Sequence, residues 1–180
     1  MKSWGGFTFN GQEYRLNHLD EFEFTYIQEK ECIKPEKSYK FIVEFGLHCF
    51  TLKPNKRKGE TLSNYPRDLY YLDFLETRVF CFKRYVMSFC LPNIVKTINS
   101  RTCYKTGKGN FFTIEFTNDN REIVDYEIYF KVSRESRGKL RLFVESAYVR
   151  DSDHGTIQPQ KKKINFFVIA HNIQVRKLIK

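Results

Sequence analysis

Three successive segments in the second half of the chain alternate apolar and polar residues, and this pattern constrains the fold more than any other feature. They read "GNFFTIEFTND", "DYEIYFKVSR" and "KLRLFVESAYV". Their apolar faces are formed by Phe112, Ile114 and Phe116, by Tyr126, Ile128, Phe130 and Val132, and by Leu140, Leu142 and Val144. A period of two is typical of half-buried strands, and the short polar turns between the segments predict antiparallel neighbours joined by hairpins.

The first half of the chain predicts further strands and one helix. Asn10-Gly11 between short β-prone arms indicates a type I′ hairpin. "KSYKFIVEFGLHCFTL" predicts a buried strand in which Gly46 marks a bulge or bend just before His48. "LPNIVKTINSR" is the best short helix, with Pro92 in its first turn.

Two remaining segments are also interpreted as strands. "TRVFCFKRY" alternates well enough to favour a strand over a helix, and "KINFFVIAHNIQV" is expected to form the last strand of the chain. The predicted fold is therefore α+β, dominated by an antiparallel, strongly twisted sheet with one or two helices packed on one face. Residues 1–180 are expected to form a single domain, because this length suits one core of ordinary size.

The charge of the chain is concentrated in its C-terminal half. Residues 91–180 contain 17 Lys and Arg against 9 Asp and Glu, so they carry +8 of the net charge of +10. A basic surface on an aromatic-rich domain favours a polyanionic partner such as nucleic acid, and a merely basic soluble protein is the alternative. An odd number of cysteines without CxxC spacing, and no long apolar run, predict a cytoplasmic protein without a membrane segment.

Motifs for nucleotide or metal cofactors are not recognised. "YKTGKGNFF" lacks the spacing of a phosphate-binding P-loop, and the four histidines show no metal-ligand spacing. We therefore expect neither a cofactor nor a metal. Gly107 and Gly109 would nevertheless let Lys108 approach a phosphate closely.

Several single residues are candidates for a catalytic site. His48 is expected at the mouth of a cleft, where an imidazole can act as base or acid, although a histidine bonded to backbone at a strand end is an alternative. Arg78 and Arg84 are expected to share a strand face with two phenylalanines, as a cationic floor for phosphate or as snorkelling side chains. Ser146 and Tyr148 are expected to continue the apolar face of Leu140, together with Arg150, into a polar cleft, and hydrogen bonds from Ser146 and Tyr148 to a neighbouring strand are the alternative.

Two basic runs, "SRESRGKLR" and "QKKKINFF", lie beside strands. Such runs are often only solvated, but beside aromatic strands they also match contact with a nucleic-acid backbone. The residues expected to bind nucleic acid are Arg84, Arg134, Arg137, Arg150, Lys161, Lys162 and Lys163.

The segments "EFGLHCFT", "RVFCFKRY", "GKGNFFTIEF" and "LRLFVESAYVRD" resemble a small bacterial family found on phage and mobile elements. More distantly, "VESAYVRD" resembles a strand in the barnase, EndoU, colicin and RelE-like ribonuclease group, whose members are small, basic and built as helices on an antiparallel sheet.

This resemblance implies metal-independent RNA cleavage by a toxin-like or phage-defence endoribonuclease, with an antitoxin protein as a further partner. His48 would be the base or acid, with His171 a candidate for a second histidine. Arg78 and Lys108 would stabilise the phosphate, and Ser146 and Tyr148 would orient it. The alternatives are a non-catalytic nucleic-acid-binding module and an accessory or interaction protein of a mobile element.

Overall fold

The computed structural model describes residues 1–30, 35–74, 76–117, 123–150 and 158–179. The strands are β1 (Phe7–Phe9), β2 (Gln12–Tyr14), β3 (Phe22–Gln28), β4 (Lys37–His48), β5 (Thr51–Leu52), β6 (Tyr70–Leu72), β7 (Thr77–Phe80), β8 (Cys103–Lys105), β9 (Phe111–Thr117), β10 (Ile123–Arg134), β11 (Leu140–Val149) and β12 (Lys162–Ile164). The α-helices are α1 (Phe82–Ser88), α2 (Leu91–Lys96) and α3 (Phe166–Gln174).

A twisted seven-stranded sheet dominates the molecule, in the order β12-β8-β9-β10-β11-β4-β3. Neighbouring strands in this sheet are antiparallel except for β11 and β4, which are parallel. This pair joins the two strands from the first half of the chain, β3 and β4, to the five from the second half. Strands β5, β7 and β6 form a smaller sheet. The α+β class and the antiparallel meander predicted from the alternating segments are confirmed.

One face of the large sheet carries the main hydrophobic core. The core-facing residues of β4 predicted from alternation, Tyr39, Phe41, Val43 and Phe45, are at most 1% exposed. Helices α2 and α3 contribute Ile94, Val95, Phe166, Ile169 and Ala170 to the same cluster. None of the helices in the described ranges has the length and apolar character needed to cross a membrane.

The predicted Asn10-Gly11 hairpin is confirmed. Both residues have positive φ, 49° and 77°, as a type I′ turn requires, and the turn joins β1 to β2. The helix predicted around Pro92 is also confirmed, as α2. The side chain of Phe116 lies outside the part of the chain that the structure describes.

Two segments expected to be strands contain helices. The strand prediction for "TRVFCFKRY" holds only to Phe80, where β7 ends, and residues 82–88 form α1. Most of the expected last strand is α3, because the Asn165 side chain accepts a hydrogen bond from the Phe167 N–H and caps the helix. Phe166, Ile169 and Ala170 then recur at helical spacing and face the core.

A β-bulge changes which residues of β11 face the core. Opposite β10, Val144 pairs with Phe130 and Ser146 with Tyr129, so Glu145 is an extra residue. The inserted residue reverses the alternation, and Ala147 takes the core-facing position after Val144. The prediction that Ser146 and Tyr148 continue the face of Leu140 is therefore wrong: they lie on the opposite face, which carries a smaller aromatic cluster.

His18 is expected to make the stability of the fold dependent on pH. Its Nε2 lies 2.7 Å from Ser88 Oγ and its ring stacks on Phe89, while its Nδ1 is buried without a hydrogen-bond partner among the described residues. Burial lowers the pKa of His18, against an opposing effect of the Asp20 carboxylate. Protonation therefore favours the unfolded chain, where the pKa of histidine is about 6.5.

We expect the urea midpoint of unfolding to fall as pH is lowered from 7.5 to 5.5. The His18→Gln variant should lose part of this dependence, because glutamine does not titrate in this range. Circular dichroism during urea titration at several pH values measures both effects. An equal pH dependence in the variant and the wild type would show that His18 does not contribute.

Candidate functional site

The candidate site lies where β4 and β11 end together. A register shift after the pair Phe45 and Val144 places His48 directly opposite Ser146 in the parallel pairing of the two strands. Register partners and residues two apart in a strand share a face, so His48, Ser146 and Tyr148 lie on one side of the sheet. The structure thus brings together three of the residues expected to be catalytic.

His48 is paired with a carboxylate that the sequence did not indicate. Its Nε2 lies 3.1 Å from Glu76 Oε1, and its side chain is 43% exposed. Partial burial and the charge of Arg78 lower the pKa of His48, and this effect exceeds the opposing one of Glu76. Burial acts to raise the pKa of Glu76, but the hydrogen bond from His48 and the charge of Arg78 outweigh it and hold that pKa below its usual value.

These pKa directions define the protonation states of the pair at neutral pH. Glu76 is ionised and His48 is neutral, so Nε2 carries the proton and donates a hydrogen bond to the carboxylate. The Nδ1 atom of His48 is then left as a hydrogen-bond acceptor. A neutral imidazole held by a carboxylate in this way can accept a proton as a general base.

Arg78 supports this pair from inside the protein. It is 5% exposed, its Nε donates to Thr51 Oγ1 at 2.8 Å, and its Nη1 lies 3.4 Å from Glu76 Oε1. Because Arg78 is buried and hydrogen-bonded to Thr51 and Glu76, it positions Glu76 and does not form an open binding surface for phosphate.

Arg84 lies nearer to the open side of the site. Since it belongs to α1, the expectation that it shares a strand face with Arg78 is wrong. Its Nη1 donates to the carbonyl oxygens of His48 and Thr51, at 3.0 and 2.7 Å, and its guanidinium lies 5.4 Å from the centre of the Tyr148 ring. Arg84 therefore connects His48 to Tyr148 and presents positive charge between them.

A buried ion pair lies beside Tyr148. Glu127 on β10 is 0% exposed, and it receives hydrogen bonds from Nε and Nη2 of Arg150 at 2.6 and 2.8 Å and from the Tyr129 hydroxyl at 2.9 Å. Gln158 also donates to it. Arg150 is therefore held in place by Glu127. Its Nη2 atom lies 3.4 Å from the Tyr148 hydroxyl, so the ion pair also defines the environment of Tyr148.

Tyr148 is a hydrogen-bond donor at neutral pH. Burial, with a smaller effect of the hydrogen bond to Tyr129, raises the pKa of Tyr148 well above its ordinary value. The phenol therefore stays protonated beside the guanidinium groups of Arg84 and Arg150.

Lys108 makes no hydrogen bond or ion pair with this cluster in the described part of the chain, although Asn110 on the same turn donates a hydrogen bond to Glu145 at 2.8 Å, and the other basic residues lie at the far end of β11 or at the sheet edge. Lys108 is exposed on the turn between β8 and β9, and its side chain takes no part in the network among the described residues. Arg134 and Arg137 are exposed at the opposite end of β11, about 20 Å from Ser146 for a strand that rises roughly 3.3 Å per residue. Lys161, Lys162 and Lys163 are exposed at the edge formed by β12.

His171 also lies apart from the His48 pair. It is on α3 and lines a cavity of about 420 Å³ together with Lys37 and Asn165. In the ranges that the structure covers, no group of three or more His, Cys, Asp and Glu side chains is arranged to hold a metal ion.

The partners Glu76 and Glu127 were not predicted. Weak signals for them exist in the sequence: Glu76 stands two residues before Arg78 in "ETRVF", and Glu127 lies between the core residues Tyr126 and Ile128. A carboxylate in the middle of an otherwise apolar strand indicates a buried ion pair or a polar face.

Comparisons with known proteins identify the family. The model of the YjaZ family matches residues 6–174, which include every member of the cluster described above. Protein YjaZ of Escherichia coli strain K12 is 30% identical over 164 residues, an alignment that covers 88% of this chain and 83% of that protein. No solved structure matches. From residue 6 to residue 174, and so over almost its whole length, the chain is a member of the YjaZ family.

Proposed function

We propose that this protein is a metal-independent endoribonuclease whose general base is His48. The observation that carries the proposal is the pairing of a half-exposed, neutral His48 with an ionised Glu76, next to Arg84 and a protonated Tyr148. A base, hydrogen-bond donors and a cation in one place are the groups that transfer of an RNA phosphodiester requires.

The reaction follows from the roles of these groups. Nδ1 of His48 takes the proton of the RNA 2′-hydroxyl, and the 2′-oxygen forms a bond to the adjacent phosphorus. The bond from phosphorus to the 5′-oxygen breaks, the leaving oxygen takes a proton from water, and the hydroxide that remains takes the proton from His48, which returns the imidazole to its neutral form. The products are a 2′,3′-cyclic phosphate and a 5′-hydroxyl.

The charge that develops on the phosphate would be stabilised by Arg84, whose guanidinium lies 5.4 Å from the centre of the Tyr148 ring. Arg84 takes the part that the sequence suggested for Arg78, because Arg78 is enclosed and bonded to Thr51 and Glu76. Ser146, opposite His48 in the register, lies where its hydroxyl can orient the scissile phosphate.

The test is cleavage of total RNA by the purified protein in the presence of EDTA. We expect cleavage to persist in the chelator and to fall by about 10²-fold or more in His48→Ala, the range typical of losing a general base. His171→Ala is the matched control, because it removes a histidine that lines a different cavity, and it should cleave like the wild type.

The contrary result has a clear meaning. RNA binding without cleavage, or equal cleavage by His48→Ala, would overturn the proposal. The first of these outcomes would favour a nucleic-acid-binding module, which the exposed lysines of 161–163 and the exposed Arg134 and Arg137 would suit.

The biological setting is also proposed. A ribonuclease of toxin or phage-defence type would act in the cytoplasm and would need an antitoxin protein in the cell that makes it. Expression from an inducible promoter should then stop growth, and His48→Ala should relieve this effect. High-level expression of the wild type without harm would instead favour an accessory protein of a mobile element.

A further inference from the structure

An open cavity lies next to the candidate site, on the side of Glu76. It has a volume of about 480 Å³ and is lined by Thr77 and by the loop that joins β5 to β6. Thr77 directly follows Glu76 in the chain, and Lys53 of the loop has its Nζ 3.8 Å from Glu76 Oε2. The cavity therefore begins within one side chain's length of the His48–Glu76 pair.

The loop that forms the cavity is held in shape by its own hydrogen bonds. Glu60 Oε2 accepts hydrogen bonds from the Asn55 N–H at 2.9 Å and from the Tyr65 hydroxyl at 2.8 Å. Residues Lys56–Lys58 form a 3₁₀ helix, and the Asn55 side chain caps it by accepting from the Arg57 N–H at 3.1 Å. The cavity is thus formed in the free protein, so binding there does not first have to order a loose loop.

The same loop is strongly basic. Residues 53–60 contain four cations, Lys53, Lys56, Arg57 and Lys58, against the one anion Glu60, a net charge of +3. Lys53 and Lys56 line the cavity and are exposed. The 3.8 Å between Lys53 and Glu76 is too long for a hydrogen bond, so the ammonium N–H groups of Lys53 can reach a bound phosphate. The charge of the loop favours an anionic ligand.

The walls of the cavity provide apolar surface beside these cations. Pro54 and Leu62 line it together with Thr61 and Thr77, each of which carries a methyl group. The volume lies within the range of about 300–1,000 Å³ that is typical of ligand sites. Apolar walls below two exposed lysines suit a ring system that is attached to a phosphate, which is the chemistry of a nucleotide.

We propose that this cavity binds a nucleotide of the RNA adjacent to the scissile phosphate, with its base against Pro54 and Leu62 and its phosphates at Lys53 and Lys56. This inference rests on the proposed ribonuclease function, because it makes the cavity the continuation of the RNA-binding site beyond His48. The bound RNA would then run from Arg84 past His48 and Glu76 to the loop.

The test uses a fluorescein-labelled hexamer of 2′-O-methyl RNA, which cannot be cleaved because its 2′-oxygen is blocked. Fluorescence anisotropy measures its Kd at several salt concentrations. The double variant Lys53→Ala with Lys56→Ala should bind it about 10-fold or more weakly at 0.1 M salt. The slope of log Kd against log salt should fall by about 1.4, since each phosphate contact on a single strand contributes about 0.7.

Lys37→Ala with Lys40→Ala is the matched control for charge. It also removes two exposed lysines, but from the start of β4, where Lys40 lies roughly 25 Å from His48 at about 3.3 Å per residue. This variant should keep the affinity and the salt dependence of the wild type. Equal binding by the Lys53 and Lys56 variant, or no binding of the hexamer by the wild type, would overturn the nucleotide site.

Leu62→Trp tests the cavity itself. The larger side chain fills the space proposed for the base, and it leaves the backbone oxygen of residue 62, which accepts from the Tyr70 hydroxyl, in place. We expect about 5-fold weaker binding of the hexamer, because the base loses its apolar contacts, with an unchanged salt slope. Leu178→Trp, at a position 84% exposed, should bind like the wild type. Unchanged binding by Leu62→Trp would mean that RNA does not enter the cavity.

The nucleotide site and the ribonuclease can fail separately, because the hexamer reports binding without cleavage. If total RNA is cleaved and the variants bind the hexamer like the wild type, the nucleotide site is overturned and the ribonuclease stands. If total RNA is not cleaved but hexamer binding depends on Lys53, Lys56 and Leu62, the ribonuclease is overturned and the nucleotide site stands.

Discussion

Arg150→Ala is expected to lower the free energy of unfolding by about 3–5 kcal/mol, the cost typical of removing one partner from a buried ion pair. The Glu127 carboxylate is 0% exposed and takes two charge-assisted hydrogen bonds from Arg150. Without the guanidinium this carboxylate would stay buried with only the neutral donors Tyr129 and Gln158. Chemical denaturation followed by circular dichroism measures the loss.

A second substitution shows whether the buried charge is the cause. In the double variant Arg150→Ala with Glu127→Leu the unpaired carboxylate is gone, and we expect most of the lost stability to return. Arg134→Ala removes an exposed arginine from β10 and should change stability by less than about 0.5 kcal/mol. A loss below 1 kcal/mol in Arg150→Ala would mean that Glu127 finds another partner or takes up a proton.

Gly46→Ala is expected to cost about 1–3 kcal/mol, the range for overfilling a packed site. A Cβ atom at this position would lie 3.0 Å from the Glu145 carbonyl oxygen, 3.0 Å from the Phe143 ring and 3.1 Å from the Val144 carbonyl oxygen. Two of these three atoms belong to the backbone of β11, which cannot rotate away as a side chain can. Strands β4 and β11 are then expected to shift apart slightly next to His48, so the RNA cleavage proposed for this site should fall as well.

The control for this substitution is Gly5→Ala. A Cβ atom there meets nothing within 4 Å, so both stability and cleavage should remain close to the wild type. Thermal unfolding and the cleavage assay on the same preparations separate the two effects. Unchanged stability in Gly46→Ala would show that β11 yields at its bulge without cost.

The sheet could be predicted from the sequence because its signal is local. Alternation in β9, β10 and β11 depends only on neighbours two apart, and the turns between these strands are short. The bulge at Glu145 could not be predicted in this way. One inserted residue leaves no mark in composition, and only the pairing of β11 with β10 shows that the alternation reverses there.

The sequence pattern does not predict α1 and α3, because β-prone residues occupy much of both helices. "FFVI" in α3 favours a strand by propensity, yet the cap at Asn165 and the spacing of Phe166, Ile169 and Ala170 decide for a helix. Tertiary burial of one helical face outweighs the small differences in intrinsic propensity. The sequence does contain one signal for this helix: Asn165, a preferred capping residue, stands directly before the apolar run.

Part of the candidate cluster could be predicted from the sequence. His48, Ser146 and Tyr148 were chosen as residues where apolar strands end, and the structure places them on one face. Glu76 was missed because it is 28 residues from His48 in the chain, and sequence spacing carries no information about such a contact. The prediction for Lys108 rests on the flexibility of its glycine neighbours, and that local signal does not specify which strand ends the turn meets.

The parallel pairing of β4 with β11 also has a consequence for the order in which the molecule is made. His48 and Ser146 are neighbours in space but are separated by almost 100 residues of chain, and such distant pairs form late in folding because a long loop must close first. During synthesis, β4 cannot form its parallel pair until β11 has left the ribosome. If the protein has the proposed ribonuclease activity, the unfinished chain is expected to be inactive until β11 has left the ribosome, which would protect the translating ribosome from the protein it is producing.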